Sequence, residues 1–227
     1  MDQRAVAAIA TLHDDVRAAL HAFVRANDTP VTREAAAEAV GISRKLAAFH
    51  LDKLVAAGLL RARIDSLGDR RVGRTPKVYE PAGTDIAVCV PPREPEVLAA
   101  ILVDAVLTER PDERARDAVG RVAQAHGHEI GAAERRRLRP GRLGAERATT
   151  AVSTLLERHG FEPARVDQVL RLRNCPFHPF AGAAPELVCG LNREFLAGVI
   201  EGLGADSAIE AVLAPRQDAC CVELRAR

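Results

Sequence analysis

Between Thr32 and Pro81 the chain reads TREAAAEAVGISRKLAAFHLDKLVAAGLLRARIDSLGDRRVGRTPKVYEP, and this stretch constrains the fold more than any other. Thr32 and Ser43 are residue types that cap helix N-termini. Gly41 supplies the turn after a first short helix ending near Val40, and Gly58 ends a second over Ser43–Ala57. Leu59–Ile64 and Val78–Pro81 then read as two strands around a Gly- and Arg-rich loop. Two short helices, a glycine turn and a hairpin with a basic tip predict a winged helix-turn-helix. That arrangement lays its second helix in the major groove of double-stranded DNA.

A helical wheel of Ser43–Ala57 at ~100° per residue divides it into two faces. Leu46, Ala47, His50, Leu51 and Leu54 form the face expected to pack inward. Arg44, Lys45, Ala48, Phe49 and Asp52 form the face expected to meet DNA. Ser43, Arg44 and Lys45 stand at the helix start, where base edges and phosphates are contacted. Phe49 suits either a thymine methyl or a place under the hairpin, and His50 reads as a core-edge histidine. In the loop, Arg70, Arg71, Arg74 and Lys77 suit the minor groove or flanking phosphates.

Charge supports this reading locally. From Gly41 to Glu80 there are nine Lys or Arg against four Asp or Glu, although the whole chain carries a formal charge of only +1. A basic patch on a near-neutral protein suits a binder of specific DNA sites rather than a general polycation. No apolar run approaches ~20 residues and the first residues lack a signal-peptide core, so a cytoplasmic protein without membrane contact is expected. Five cysteines in that setting argue against a disulfide framework.

The remainder predicts a mainly α protein with an α+β C-terminal part. Residues 1–90 are read as the DNA-binding domain, beginning with one helix over 4–26. Pro91, Pro92 and Pro95 mark a linker. Residues 91–160 are read as a helical dimerisation region, with helices near 94–110, 111–138 and 145–159. Residues 161–227 are read as a small antiparallel ββαββ sensor domain. One recognition helix reads too few base pairs alone, so a homodimer on paired half-sites is expected, with helix 4–26 and the long helices after residue 94 as candidate contacts.

Cys175 follows a strand in RLRNCPFHPFA, Cys189 lies early in a helix in PELVCGLNREF, and Cys220 and Cys221 open the last strand in DACCVELRAR. Thirteen residues separate the first two and thirty separate Cys189 from Cys220, which is unlike the CxxC pairs of a zinc ribbon. Long, irregular spacing from strand ends and a helix start suits an iron–sulfur cluster on thiolates. Strand parity puts Cys220 with Val222 and Leu224 on the apolar face, expected to look at the Cys189 helix. Cys220 is therefore preferred as third ligand over Cys221, with His178 the nearest further candidate. Buried cysteines also serve simply as small apolar residues.

These segments resemble bacterial winged-helix regulators of the ArsR/DeoR-like type, and more narrowly the SufR-type iron–sulfur repressors. The resemblance is carried by SRKLAAFHLDKLVAAGLL, GRTPKVYE, RLRNCPF, LVCGLNREFLAGVIEGL and ACCVEL. It implies a homodimeric repressor whose cluster state sets operator affinity. Its ligand cysteines would fall on Cys175, Cys189 and either Cys220 or Cys221. A regulator that senses an organic effector or thiol redox state without a metal is the alternative. An enzyme is not expected: Cys175 near His178 is the only nucleophile–base pairing suggested, and no phosphate loop, paired-carboxylate motif or nucleophile elbow accompanies it.

Overall fold

The computed structural model describes residues 3–64, 76–83, 85–139, 144–216 and 219–227. The chain is mixed α/β, with two small antiparallel sheets, and divides into the units Met1–Val88 and Cys89–Arg227. No helix among the described residues is long and apolar enough to cross a membrane.

The N-terminal unit runs α1 (Gln3–Thr11), α2 (Asp15–Arg25), β1 (Val31–Thr32), α3 (Arg33–Val40), α4 (Arg44–Ala56), β2 (Leu60–Ile64) and β3 (Lys77–Pro81). The single helix expected over 4–26 is two helices. Asp14 breaks it, its carboxylate accepting the Arg17 backbone N–H at 2.9 Å and so capping α2. The expected caps are in place: Thr32 Oγ1 accepts from Ala35 N, and Ser43 Oγ from Leu46 N, each at 3.2 Å. Gly41 closes α3 at φ 71°, a left-handed conformation that costs glycine little. Strand β1, not foreseen in the sequence, pairs with β3, giving the antiparallel order β1-β3-β2. Leu20, Val24, Leu51, Leu54, Leu60 and Tyr79 fill the core between helices and sheet.

The C-terminal unit runs α5 (Pro95–Leu107), α6 (Ala115–Leu138), α7 (Ala145–Arg158), β4 (Pro163–Val166), β5 (Val169–Leu172), α8 (Phe180–Ala183), α9 (Pro185–Leu203), β6 (Ile209–Leu213) and β7 (Val222–Ala226). The ββαββ order is present, interrupted only by the one-turn α8, and the sheet order is β4-β5-β7-β6. Pro111 does not start a helix. It belongs to a turn in which Asp112 has φ 68°, and α6 begins at Ala115.

The expected division at residue 160 does not hold, because one core spans Cys89–Arg227. Ile101 of α5, Val122 of α6 and Val152 of α7 share it with Leu172, Phe195 and Val222. Phe161, Phe177 and Phe195 meet edge to face within it, with centroids 6.4 and 5.9 Å apart. Helices α6 and α9 lie parallel and backbone to backbone. A methyl group on Gly127 would strike the Phe195 carbonyl, and one on Gly198 the Gln124 carbonyl. Glycines at both positions, and at 131 and 202, join α6 of the expected dimerisation region to α9 of the expected sensor domain. Sequence periodicity does not reveal such a contact.

Candidate functional site

Two places bring together the residues singled out from the sequence. The first is the front of α4. Ala47, His50, Leu51 and Leu54 are buried, as the wheel predicts, whereas Leu46 is 41% exposed and does not join the core. Leu51 and Leu54 belong to the core cluster with Leu20 and Val24 of α2, and Leu46 does not. Ser43, Arg44, Lys45 and Phe49 are exposed. Among the described residues neither Arg44 nor Lys45 has an ion-pair partner within 4.0 Å, although Arg33 chiefly, and Arg44 in part, lower the Glu34 pKa; the two cations stand at the N-terminus of α4.

Phe49 is 55% exposed, its ring edge-on to His50 at 5.2 Å and under Lys53 Nζ at 5.6 Å. Its ring stands outward from α4, and residues 65–75 of the hairpin lie outside the described residues. Lys77 is not free: its ammonium bonds Asp52 of α4 at 2.6 Å and lies 5.2 Å from the centre of the Tyr79 ring, while Tyr79 Oη donates to Asp52 at 3.2 Å. That bond raises the Lys77 pKa, and it ties β3 to α4. Arg70, Arg71 and Arg74 lie outside the described residues. His50 is the core-edge histidine expected, its Nδ1 3.9 Å from Asp14 and without a hydrogen-bond partner among the described residues.

The second place is a cavity of about 720 Å³ in the C-terminal unit, lined by Cys175, Cys189, Cys221 and His178. The loop after β5 delivers Cys175 and is held from beneath. Asn174 is buried and donates to the carbonyls of Pro92 (2.9 Å) and Gly160 (2.5 Å), while its own carbonyl accepts from Arg93. Arg93 also donates to Cys175 O at 3.1 Å, and Glu94 N donates to Pro176 O at 3.0 Å. Cys175 and Cys220 form a buried thiol pair. The bond from Cys220 holds the Cys175 thiol well below its ordinary range, aided by the N–H groups of Phe177 and His178 and by Arg93. The same pairing, together with burial, pushes Cys220 up.

The sequence argues against a disulfide framework, yet one disulfide is present at Cys189. Cys189 and Cys221 are joined as a disulfide, with Cα atoms 6.0 Å apart. Parity does place Cys220 on the buried side with Val222 and Leu224. That side meets α9 at Asn192, one turn beyond Cys189, and Asn192 Nδ2 donates to Cys220 Sγ at 3.1 Å. Strand β7 begins only at Val222, so the doublet precedes the regular pleat. Cys89 is exposed and apart from the cavity lining.

Sequence reasoning missed Arg93, Asn174 and Asn192. Only Asn192 left a trace, as an amide inside the apolar run LVCGLNREFLAGVIEGL, three residues after Cys189. Soft thiol donors from Cys175, Cys189 and Cys221, with an imidazole and three arginines along the same walls, suit an anionic thiolate-held cluster in donor chemistry. No three His, Cys, Asp or Glu among the described residues are drawn together to hold a metal.

No family model matches the chain, and neither does any curated protein or solved structure.

Proposed function

We propose that the chain is a DNA-binding transcriptional regulator of the winged helix-turn-helix type, acting as a homodimer on a double-stranded operator. The observation that carries this reading is the front of α4, where exposed Arg44, Lys45 and Phe49 follow the Ser43 cap. Arg44 and Lys45 would meet base edges or phosphates, and Phe49 would present an apolar ring to the groove. Lys77 would contribute by fixing the hairpin against α4 through Asp52, while the loop arginines Arg70, Arg71 and Arg74 would reach the flanking backbone.

The controlling site is the thiol-lined cavity. Cys175, Cys189 and Cys221 would hold an iron–sulfur cluster, with His178 or Cys220 as a further donor. A bound cluster would supply a crosslink between the Cys175 loop, α9 and the start of β7 that is lost on oxidation. The Asn174–Arg93 hydrogen bonds would hold the Cys175 loop in place with or without it. Repression is the regulatory sense that the family resemblance favours.

A second reading drops the metal and keeps the thiols. The Cys189–Cys221 disulfide favours it, because two candidate ligands can exist as a redox couple by themselves. Binding to a duplex carrying the chain's own promoter, followed across a salt series, tests the DNA reading. Affinity should fall steeply with salt, and a flat, weak response to every duplex would end it. Iron and sulfide in an anaerobic preparation separate the two versions of the control site: a brown protein supports the cluster, and a colourless one that takes up no iron after reduction supports the thiol couple.

A further inference from the structure

The Cys189–Cys221 bond lies beside a cavity whose described lining is mainly cationic in charge. Its volume, about 720 Å³, is in the range that encloses a small molecule. Arg93, Arg173 and Arg216 are on its walls, and among the described lining residues Glu186 is the one carboxylate. That carboxylate is already paired, 3.0 Å from Arg116. Arg173 is exposed and has no ion-pair partner among the described residues, and Arg216 reaches Glu223 only at 3.5 Å. Pro91, Ala181, Leu213 and Pro215 give the remaining wall an apolar surface, the setting in which a cationic cleft most effectively concentrates anions. Cys189 and Cys221 both line this space and are half-buried.

We propose that this cavity binds an anionic low-molecular-weight thiol, a small carboxylate-bearing thiol of the chemical class of glutathione, which opens the Cys189–Cys221 bond by thiol–disulfide exchange. The arginines hold the carboxylates. The thiolate of the first molecule forms a bond to one of the two protein sulfurs, and the other leaves with the electron pair as a thiolate. A second thiol molecule attacks the mixed disulfide and releases the small molecule as its own symmetrical disulfide. Two thiols are oxidised, one protein disulfide is reduced, and the two protons of the small thiols end on Cys189 and Cys221 or in solvent. The exchange requires neither DNA nor metal and so goes beyond the regulatory reading.

The test uses the full-length, metal-free, air-oxidised chain without DNA. Reduction of Cys189–Cys221 is followed by thiol trapping and peptide mass mapping, with glutathione as the anionic probe and cysteamine as the cationic one, both rates expressed per thiolate. At low salt glutathione should be faster by about tenfold or more, the scale of electrostatic steering into a charged cleft. The ratio should shrink with added salt, and it should shrink in Arg173→Gln and in Arg216→Gln at low salt. Equal rates for the two thiols, or a ratio that salt and both variants leave unchanged, would overturn the proposal. So would air-oxidised protein in which Cys189 and Cys221 are free, or a disulfide opened by a protein dithiol but not by glutathione. The salt series on unmodified protein decides the matter even if a variant fails to fold. Failure of operator binding or of iron uptake leaves these outcomes unaffected.

Discussion

The two units place their candidate chemistry at opposite depths. In the N-terminal unit it stands on the surface: Ser43, Arg44, Lys45 and Phe49 project from one helix, and that helix's other face makes the core. In the C-terminal unit it is recessed. Cys175 and Cys220 are buried, Cys189 and Cys221 are half-buried, and the loop that carries Cys175 is pinned by hydrogen bonds from Asn174 and Arg93. A surface site made from one helix can tolerate change without loss of fold. A recessed site assembled from segments between Pro91 and Cys221 depends on the packing that brings them together.

The largest effect that would break this contrast is on DNA binding. Arg44→Ala with Lys45→Ala should lower operator affinity on the order of a hundredfold, since each good contact is worth roughly 1–3 kcal/mol. Thermal stability should hardly change, because both side chains are exposed. Titration of a labelled operator duplex, alongside a melting curve, checks both halves. A large fall in melting temperature would mean that the front of α4 is structural.

Gly198→Ala makes the converse case in the C-terminal unit. The added methyl meets the Gln124 carbonyl and the His128 backbone nitrogen, groups that cannot swing aside as a side-chain tip could. A loss of roughly 1–3 kcal/mol is expected from overpacking, read by denaturant unfolding. The same variant should react faster with thiol reagents at Cys175, because α6 and α9 belong to the core that buries it. Unchanged stability would show that the α6–α9 contact is looser than backbone-to-backbone packing implies.

The same contrast explains what was legible in the sequence. Helix α4 could be read on a wheel because its two faces differ in kind within fifteen residues, and its caps are local interactions between neighbours. The ββαββ order was legible for a similar reason. What escaped was long-range. Strand β1 is two residues whose partner, β3, is more than forty positions away. The α6–α9 contact rests on glycines, which leave no apolar stripe to count. The pairing of Cys189 with Cys221 rather than with Cys220 turned on where β7 begins and on which turn of α9 faces it. Parity identified the buried cysteine correctly and carried no information on which cysteine Cys189 bonds.

A smaller effect concerns Glu134, buried on α6 between Arg137 (2.7 Å) and Arg158 (2.7 Å). Hydrogen bonds from Arg137 and Arg158 hold its carboxyl down at about 2, against an ordinary 4.5. A depressed folded-state pKa stabilises the fold above the unfolded value, and the contribution is lost as pH falls from about 4.5 through about 2. Both arginines are half-exposed, so each bond is worth about 1 kcal/mol or less. Glu134→Gln should flatten the acid limb of the stability curve in that window and leave operator affinity unchanged. Urea midpoints at a series of pH values measure this, and an unchanged acid limb would show that the pairs contribute nothing.

The smallest effect separates two roles that Ser43 could hold. Its hydroxyl already accepts the Leu46 backbone N–H at 3.2 Å, and it is exposed at the point where α4 would approach phosphate. Ser43→Ala removes both functions and should cost about 1 kcal/mol of stability through the lost cap. Ser43→Asp restores the cap and brings a negative charge to the proposed interface. If Ser43 only caps, and α4 does not face DNA, Asp should recover both stability and binding. If the front of α4 lies against the backbone, Asp should recover stability while weakening binding further than Ala does, and that weakening should ease as salt rises. Stability and affinity moving in opposite directions at one position would mark α4 as the exposed, separable kind of site that the C-terminal cavity is not.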